Sequence, residues 1–365
     1  MKRRLTIIFI LLIFISSLCL YNFPILANEI VKADKIYTYE EMIEDITGLK
    51  EKYPNIISYK SIGSTHYRRD IYAIKLGTAT PSVMIDAALH AREWITTYLC
   101  MNMIEAYAEA YVNNEMFAGY NVRKCLDRIS IWFIPMVNPD GVTLQQKGLT
   151  VFPEKVHRLL LKMNNGKYDF SAWKADARGI DLNRQYPVDW KNKTIKVNRP
   201  YYKNYTGQTP LESVESRHLV RFIESVKPEI LINYHSSGRV IYWYTSFATK
   251  EVRKLSREIA RAYSDFSGYK IIPPSSCEGA VGLLSYFTSR NNRPSITPEL
   301  GKYVGPRNVP LSEFAEIWRR NKKAGLYIAE KGYKIWERDR GEVSNILPNN
   351  HVLNYRMSYG ISVPY

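Results

Sequence analysis

VMIDAALHAREWITTYLCMNMIEAY, residues 83–107, opens as a short apolar strand, breaks at His90-Ala91-Arg92-Glu93-Trp94 and continues with helical spacing through Leu99, Met103 and Tyr107. An imidazole and a carboxylate three residues apart at the start of a helix point the same way, so His90 and Glu93 could bind one metal ion together. Two ligands are not a site. A structural zinc site closes four protein ligands, whereas a catalytic one has three and leaves a position for water or substrate. A third ligand and a proton acceptor must come from elsewhere in the chain.

On either side of this stretch, strands alternate with helices. Tyr37–Lys52 has helical spacing at Met42, Ile43, Ile46 and Leu49 and ends before Pro54. Ile56–Ser61 and Ile71–Leu76 flank the polar turn Gly63–Asp70 and read as a hairpin. Val83–Leu89 and Ile129–Val137 are continuously apolar, as expected of central strands covered on both faces, with the helix Trp94–Val112 between them. For some seventy residues after Asn138 the chain reads as irregular, broken by Pro153, Gly166, Gly179, Pro187 and Pro200. A loop region that long inside a domain usually carries function. Regular patterns return with the helix Leu211–Val226 and the strands Glu229–Tyr234 and Val240–Tyr244. The helix Lys250–Tyr263, the strand Tyr269–Ile272 and a helix near Gly282–Arg290 come next. A last strand, Pro294–Leu300, precedes a closing helix, Leu311–Lys331, and Tyr333–Tyr365 shows little periodicity. The pattern predicts a three-layer α/β/α sandwich around a mixed, mostly parallel twisted sheet. The expected division is a signal peptide at 1–27, one domain at 28–332 and a surface tail at 333–365.

Lys2, Arg3 and Arg4 precede an apolar run from Leu5 to Leu20, and Ile25-Leu26-Ala27 offers a small-residue cleavage site. That is the plan of a secretory signal peptide, and the run is shorter than the roughly 20 apolar residues that span a bilayer. A secreted protein is therefore expected, with no stable membrane insertion after cleavage. The removed segment holds three basic and no acidic residues, leaving 48 Lys and Arg against 35 Asp and Glu, a net charge of +13. Such a charge is drawn to anionic surfaces, of which a bacterial cell wall is one, or it serves solubility alone. The basic clusters Arg253-Lys254 and Arg319–Lys323 lie in helical patterns without the stacked aromatics of a nucleic-acid groove, so nucleic acid is set aside. Three widely spaced cysteines remain, Cys100, Cys125 and Cys277, which make neither a disulfide framework nor a cysteine metal site.

His235 supplies the missing ligand. It ends the apolar run Ile230-Leu231-Ile232-Asn233-Tyr234 and precedes Ser236-Ser237-Gly238, so it stands at a strand end, where open α/β sheets bind ligands. His90 also follows directly from a strand. Two histidines and one glutamate make the three-ligand, one-open-position zinc arrangement. His66, His157, His218 and His351 lie in polar or basic surroundings and read as solvated.

Six motifs then stand in order: His90-Ala-Arg-Glu93-Trp, Pro135-Met-Val-Asn-Pro-Asp-Gly141, Gly179-Ile-Asp-Leu-Asn-Arg184, Tyr205-Thr-Gly-Gln-Thr-Pro210, His235-Ser-Ser-Gly238 and Thr297-Pro-Glu-Leu300. In that order and rough spacing the chain, from about Tyr37 to Lys331, resembles the zinc carboxypeptidase family. Ile241-Tyr-Trp, Glu299-Leu-Gly-Lys302 and Pro310-Leu-Ser-Glu-Phe314 look most like its bacterial branch of γ-D-glutamyl-L-diamino acid endopeptidases. The resemblance implies one zinc ion held by His90, Glu93 and His235, with Glu299 as the general base for a zinc-activated water. It also implies Asn183 and Arg184 as the pair that grips a substrate carboxylate, and Arg92 as a further contact to the substrate backbone or to a carboxylate. An oxyanion arginine belongs to the family pattern. Arg178 is expected in that role, with Lys174 as the lesser alternative.

Two positions depart from the pattern of the animal digestive enzymes. Counting back from Glu299, the substrate-capping tyrosine falls at Cys277 and the specificity position at Leu284. An apolar residue there offers no acidic partner to a lysine or arginine side chain. Ser285 and Glu278 flank it and could meet a polar group. The function implied is a secreted, monomeric zinc metallopeptidase that cleaves an amide next to a carboxylate-bearing residue, above all the γ-D-glutamyl-diaminopimelate bond of peptidoglycan stem peptides. A general carboxypeptidase releasing apolar C-terminal residues is the second reading, and an inactive cell-wall-binding relative the third.

Overall fold

The computed structural model of the protein describes residues 29–32, 35–188, 190, 197–277 and 282–346. The expected signal peptide at 1–27, Glu278 and the end of the expected tail lie outside them. In chain order the elements are α1 (Tyr39–Lys52), β1 (Ile57–Ser64), β2 (Asp70–Leu76), β3 (Ser82–Asp86), α2 (Ile95–Val112), β4 (Met116–Phe117), β5 (Tyr120–Asn121), α3 (Val122–Leu126), β6 (Ser130–Ile134), α4 (Pro139–Lys147) and α5 (Glu154–Met163). There follow α6 (Val214–Val226), β7 (Leu231–Asn233), β8 (His235–Ser236), β9 (Val240–Tyr242), α7 (Lys250–Ser267), β10 (Lys270–Ile271), α8 (Leu283–Arg290), β11 (Ser295–Leu300), α9 (Phe314–Asn321) and α10 (Ala324–Ile346).

The main sheet runs β1-β2-β6-β3-β7-β11-β9-β10, with β8 paired to β11. Its centre is parallel, through β6, β3, β7 and β11, and β1, β2 and β9 join antiparallel. Every residue of β3 is buried, as a strand covered on both faces requires. One face packs against α1, α2, α7, α9 and α10 through residues such as Met42, Ile46, Leu99, Ile259, Ile317 and Leu326. The other packs against α6 and α8 through Leu219, Phe222, Ile223, Leu283 and Phe287. This is the three-layer α/β sandwich expected from the alternation of strands and helices. A third cluster, including Leu144, Phe152, Leu160 and Trp173, lies beneath Ala91 and backs the first metal-binding turn.

Local chemistry explains several boundaries. Thr38 and Glu41 form a reciprocal capping box that starts α1. Glu105 of α2 accepts the backbone N–H groups of Ile30 and Val31, each at 2.9 Å, tying the segment before α1 to the helix layer.

Two expectations are corrected. The stretch after Asn138 is not irregular throughout. Asn138 caps α4 by accepting the Gly141 N–H at 3.0 Å, Pro139 takes the first turn, and α5 follows. The irregular region proper begins after Met163. At the other end, the closing helix does not stop at Lys331, and the expected tail is helical through Ile346, with Ile335 in the core. Gly325 and Gly332 let α10 lie close: a Cβ at Gly332 would meet Val83 Cγ1 at 2.4 Å, and one at Gly325 the Tyr107 ring at 2.7 Å. Among the described residues no helix is long and apolar enough to cross a membrane.

Candidate active site

Parallel strands β3, β7 and β11 end on one edge of the sheet, and the chemistry collects there. Past β3 the backbone crosses Ala88 in the left-handed region (φ 46°), held by the Thr96 hydroxyl on its N–H at 2.8 Å. His90 then stands extended before the single helical turn Ala91–Glu93 that leads into α2. His90 Nδ1 and Glu93 Oε1 are 2.9 Å apart, as their three-residue spacing predicts. From the far side of β7, His235 brings its Nδ1 to 2.8 Å from Glu93 Oε2 and 3.0 Å from His90 Nδ1. All three side chains are buried, with ligand atoms within 4.8 Å of one another.

The outward nitrogens show that these residues suit a divalent ion. His90 Nε2 faces Asp181 Oδ1 at 3.2 Å, and His235 Nε2 faces Asn233 Oδ1 at 2.8 Å. An acceptor on each Nε2 assigns the proton there and leaves both Nδ1 lone pairs turned inward beside a carboxylate, the donor set of a His/His/Glu zinc site. Asn233 in turn donates to Asp86, whose carboxyl burial pushes up to about 7. Burial lowers the His90 pKa. For Glu93 and Asp181, burial acts in the opposite direction but is outweighed: the two histidines hold Glu93 down, and Lys174 with His90 holds Asp181 well down.

Glu299, on β11, is in register with His235 of β8 and is half-buried. Burial and the charge of Glu93 push its carboxyl up to about 7, while His235, Lys174 and Arg92 pull the other way. Arg92 donates to the Ala172 carbonyl at 3.2 Å. Asn183 accepts the Leu283 N–H at 2.9 Å and places Nδ2 3.4 Å from His235 Nε2; Arg184 donates to the Asn183 carbonyl at 2.9 Å. The Asn183–Leu283 bond sets the start of α8, and with it half-buried Leu284, next to the expected carboxylate-gripping pair.

Arg178 departs from expectation. Its guanidinium is 3.7 Å from Glu212 and its side chain 40% exposed. Gly179, at φ 78°, follows it in a turn closed on Asp176. Lys174 instead lies inside, 12% exposed, with Nζ 2.9 Å from Asp181 Oδ2 and its carbonyl accepting the Ala91 N–H at 3.0 Å.

Four further residues carry the site. Asp181 lies inside the Gly179–Arg184 motif, and Asn233 and Asp86 are polar residues in otherwise apolar strands, a signal visible in the sequence. Tyr242 of β9 pairs in register with Thr297, two residues before Glu299, and burial, with smaller contributions from Glu299 and Cys277, raises the pKa of its phenol. Cys277, at the position of the missing capping tyrosine, is buried.

Residues 42–276 match the profile described as zinc carboxypeptidase. The chain belongs to the zinc carboxypeptidase family. It is 30% identical over 301 residues to gamma-D-glutamyl-L-diamino acid endopeptidase 1 of Lysinibacillus sphaericus, covering 82% of this chain and 73% of that one. It is 29% identical to the protein YqgT of Bacillus subtilis (strain 168), over 80% of this chain and 77% of that one. Among solved structures, thrombin activatable fibrinolysis inhibitor superposes with a TM-score of 0.68 at 20% identity, over 85% of this chain and 78% of that one, a likeness of fold. As a member of this family the chain is a zinc metallopeptidase, and His90, Glu93 and His235 form the group able to hold the ion.

Proposed function

We propose that this peptidase is secreted and cleaves the γ-D-glutamyl-diaminopimelate amide of peptidoglycan stem peptides. For the reaction, the observation that carries the reading is the convergence of His90, Glu93 and His235 beside Glu299. For the substrate, the support is similarity to the Lysinibacillus endopeptidase over most of both chains.

When bound, zinc supplies a water of lowered pKa and a positive charge for the scissile carbonyl. With the ion bound, Glu299 would hold the proton of the attacking water at its carboxylate and pass it to the leaving nitrogen, a task suited to a carboxyl pushed up to about 7. Lys174, fixed by Asp181, presents its ammonium to the oxygen that gains negative charge. Arg184 grips a carboxylate of the diamino acid, since a guanidinium fork matches that planar group. Asn183 helps: its Oδ1 is spent on Leu283, so its amide hydrogens remain for substrate. Leu284, at the specificity position, is not acidic, which argues against a lysine- or arginine-directed enzyme. Apolar Leu284 favours the second reading, a carboxypeptidase that releases apolar C-terminal residues.

Incubation with defined muropeptides and with an apolar-ended peptide, followed by mass analysis, separates the two. A cut between D-glutamate and diaminopimelate is expected. Cleavage of the ordinary peptide alone overturns the wall-peptide reading.

A further inference from the structure

Helix α7 sorts its charges by side. At 100° per residue, Lys250, Arg253, Lys254, Arg257 and Arg261 fall within about 100° of its circumference, over about 16 Å of length. Glu251, Glu258 and Asp265 gather on the adjacent flank, where Glu258 pairs with Lys331 of α10 at 3.0 Å. The opposite side, with Val252, Ile259, Ala260 and Tyr263, is buried. Four of the five cations are exposed and Arg253 is half-buried. Among the described residues, no carboxylate lies within ion-pair distance of any of them.

A face that served solubility alone would interleave its signs. Here two guanidiniums are also held in place: Arg253 lies 5.7 Å from the Tyr244 ring centroid and Arg257 5.9 Å from that of Trp243. A pinned planar fork loses little rotamer freedom on meeting a phosphate. The row is too long for one phosphate and matches a chain of them. Because the arginines already occupy the two rings, the rings are not free to stack on bases, which nucleic-acid grooves require.

We propose that this face of α7 binds a linear polyanion with a phosphodiester in each repeat and no bases, of the kind an anionic cell wall presents, and so retains the enzyme beside its substrate. The proposal rests on the wall-peptide reading for its setting. The test is cosedimentation with purified bacterial wall sacculi that carry such a polymer, and with the same sacculi stripped of it by hydrofluoric acid. Five phosphate contacts at a slope of about −0.7 each predict that binding falls about a hundredfold between 50 and 200 mM salt. The R253Q/K254Q/R257Q/R261Q variant should lose more than about tenfold at 100 mM salt, whereas R253K/R257K, which keeps the charge, should bind nearly as wild type. Unchanged zinc content and turnover of a soluble substrate by the quadruple variant establish its fold. Wild-type-like binding by that variant, equal binding to stripped sacculi, or equally tight binding of single-stranded DNA each overturns the proposal. Failure to cleave any muropeptide, with polymer binding intact, would instead remove the wall-peptide reading and leave this surface standing.

Discussion

Replacing Asp181 by asparagine separates the support of the metal site from the metal ligands themselves. Its two oxygens receive four groups: His90 Nε2 at 3.2 Å and the Asn183 N–H at 3.0 Å on Oδ1, Lys174 Nζ at 2.9 Å and the Asn204 N–H at 3.1 Å on Oδ2. Asparagine keeps one acceptor and turns an NH2 toward two donors, leaving the Lys174 ammonium without its counter-charge. Breaking one side of a buried ion pair costs about 3–5 kcal/mol. With about 2.1 cal/mol/K of unfolding entropy per residue over about 300 ordered residues, the melting temperature should fall by roughly 5–8 °C. The His90 ring also loses its anionic partner, which should weaken zinc binding about 10–100-fold. Calorimetry of the zinc-free protein and competition with a chromophoric chelator measure the two effects separately. Adding Lys174→Met should recover part of the melting temperature and none of the zinc affinity. A D181N protein that binds zinc within twofold of wild type and melts within a degree of it would refute the role given to this carboxylate.

Lys174→Gln should lower kcat about 10²–10³-fold, the cost of removing one oxyanion donor, while Arg178→Gln leaves kcat within about threefold; steady-state kinetics on one substrate compares them. Burial pushes Glu215 up to about 7, so its contribution to stability is full below the ordinary carboxylate pKa and is lost as pH rises toward 7, by up to about 3 kcal/mol. Between pH 5 and pH 8 wild type should lose stability through Glu215 together with Asp86 and Glu299, whose carboxyls are also pushed up to about 7, and urea unfolding of Glu215→Gln should show a fall smaller by about the Glu215 share; an equal fall in both counts against the assignment. Ile335→Ala should cost about 2–4 kcal/mol because the side chain is part of the main core, and a cost under about 0.5 kcal/mol would place this part of α10 on the surface after all.

Much of the site was legible because its residues announce themselves by type. The turn after β3, His235 after β7 and Glu299 on β11 lie at strand ends, and strand ends follow from apolar runs. Asn233 faces His235 only two residues on, whereas Asp181 and Asp86 meet His90 and Asn233 across long stretches of sequence and take their roles only when the chain is folded. Adjacency to a motif does not fix where a side chain points: the turn at Asp176–Gly179 sends Arg178 to Glu212, while pairing with Tyr202 and Ala91 keeps the backbone of Lys174 at the metal loop. The far end of α10 was hidden for a different reason. Gly332 stands just past Lys331, where a hydrophobic pattern reads a gap, although a Cβ there would meet Val83 Cγ1 at 2.4 Å. Asn138-Pro139 was a helix start in plain view, masked by the polar residues that follow.

The order of strands has a consequence for how the enzyme is made. All strands on one side of the β3–β7 boundary come from residues 57–134, and all on the other from residues 231–300. A growing chain can therefore complete the first half-sheet, with His90 and Glu93 at its border, long before His235 is synthesised. Until β7 docks on β3, the nascent protein holds only two of its three zinc ligands and has little hold on the ion. Zinc capture is thus deferred to the joining of the halves, one of the high-separation contacts that form slowly. Once captured, the ion ties the two halves together across the seam where they meet.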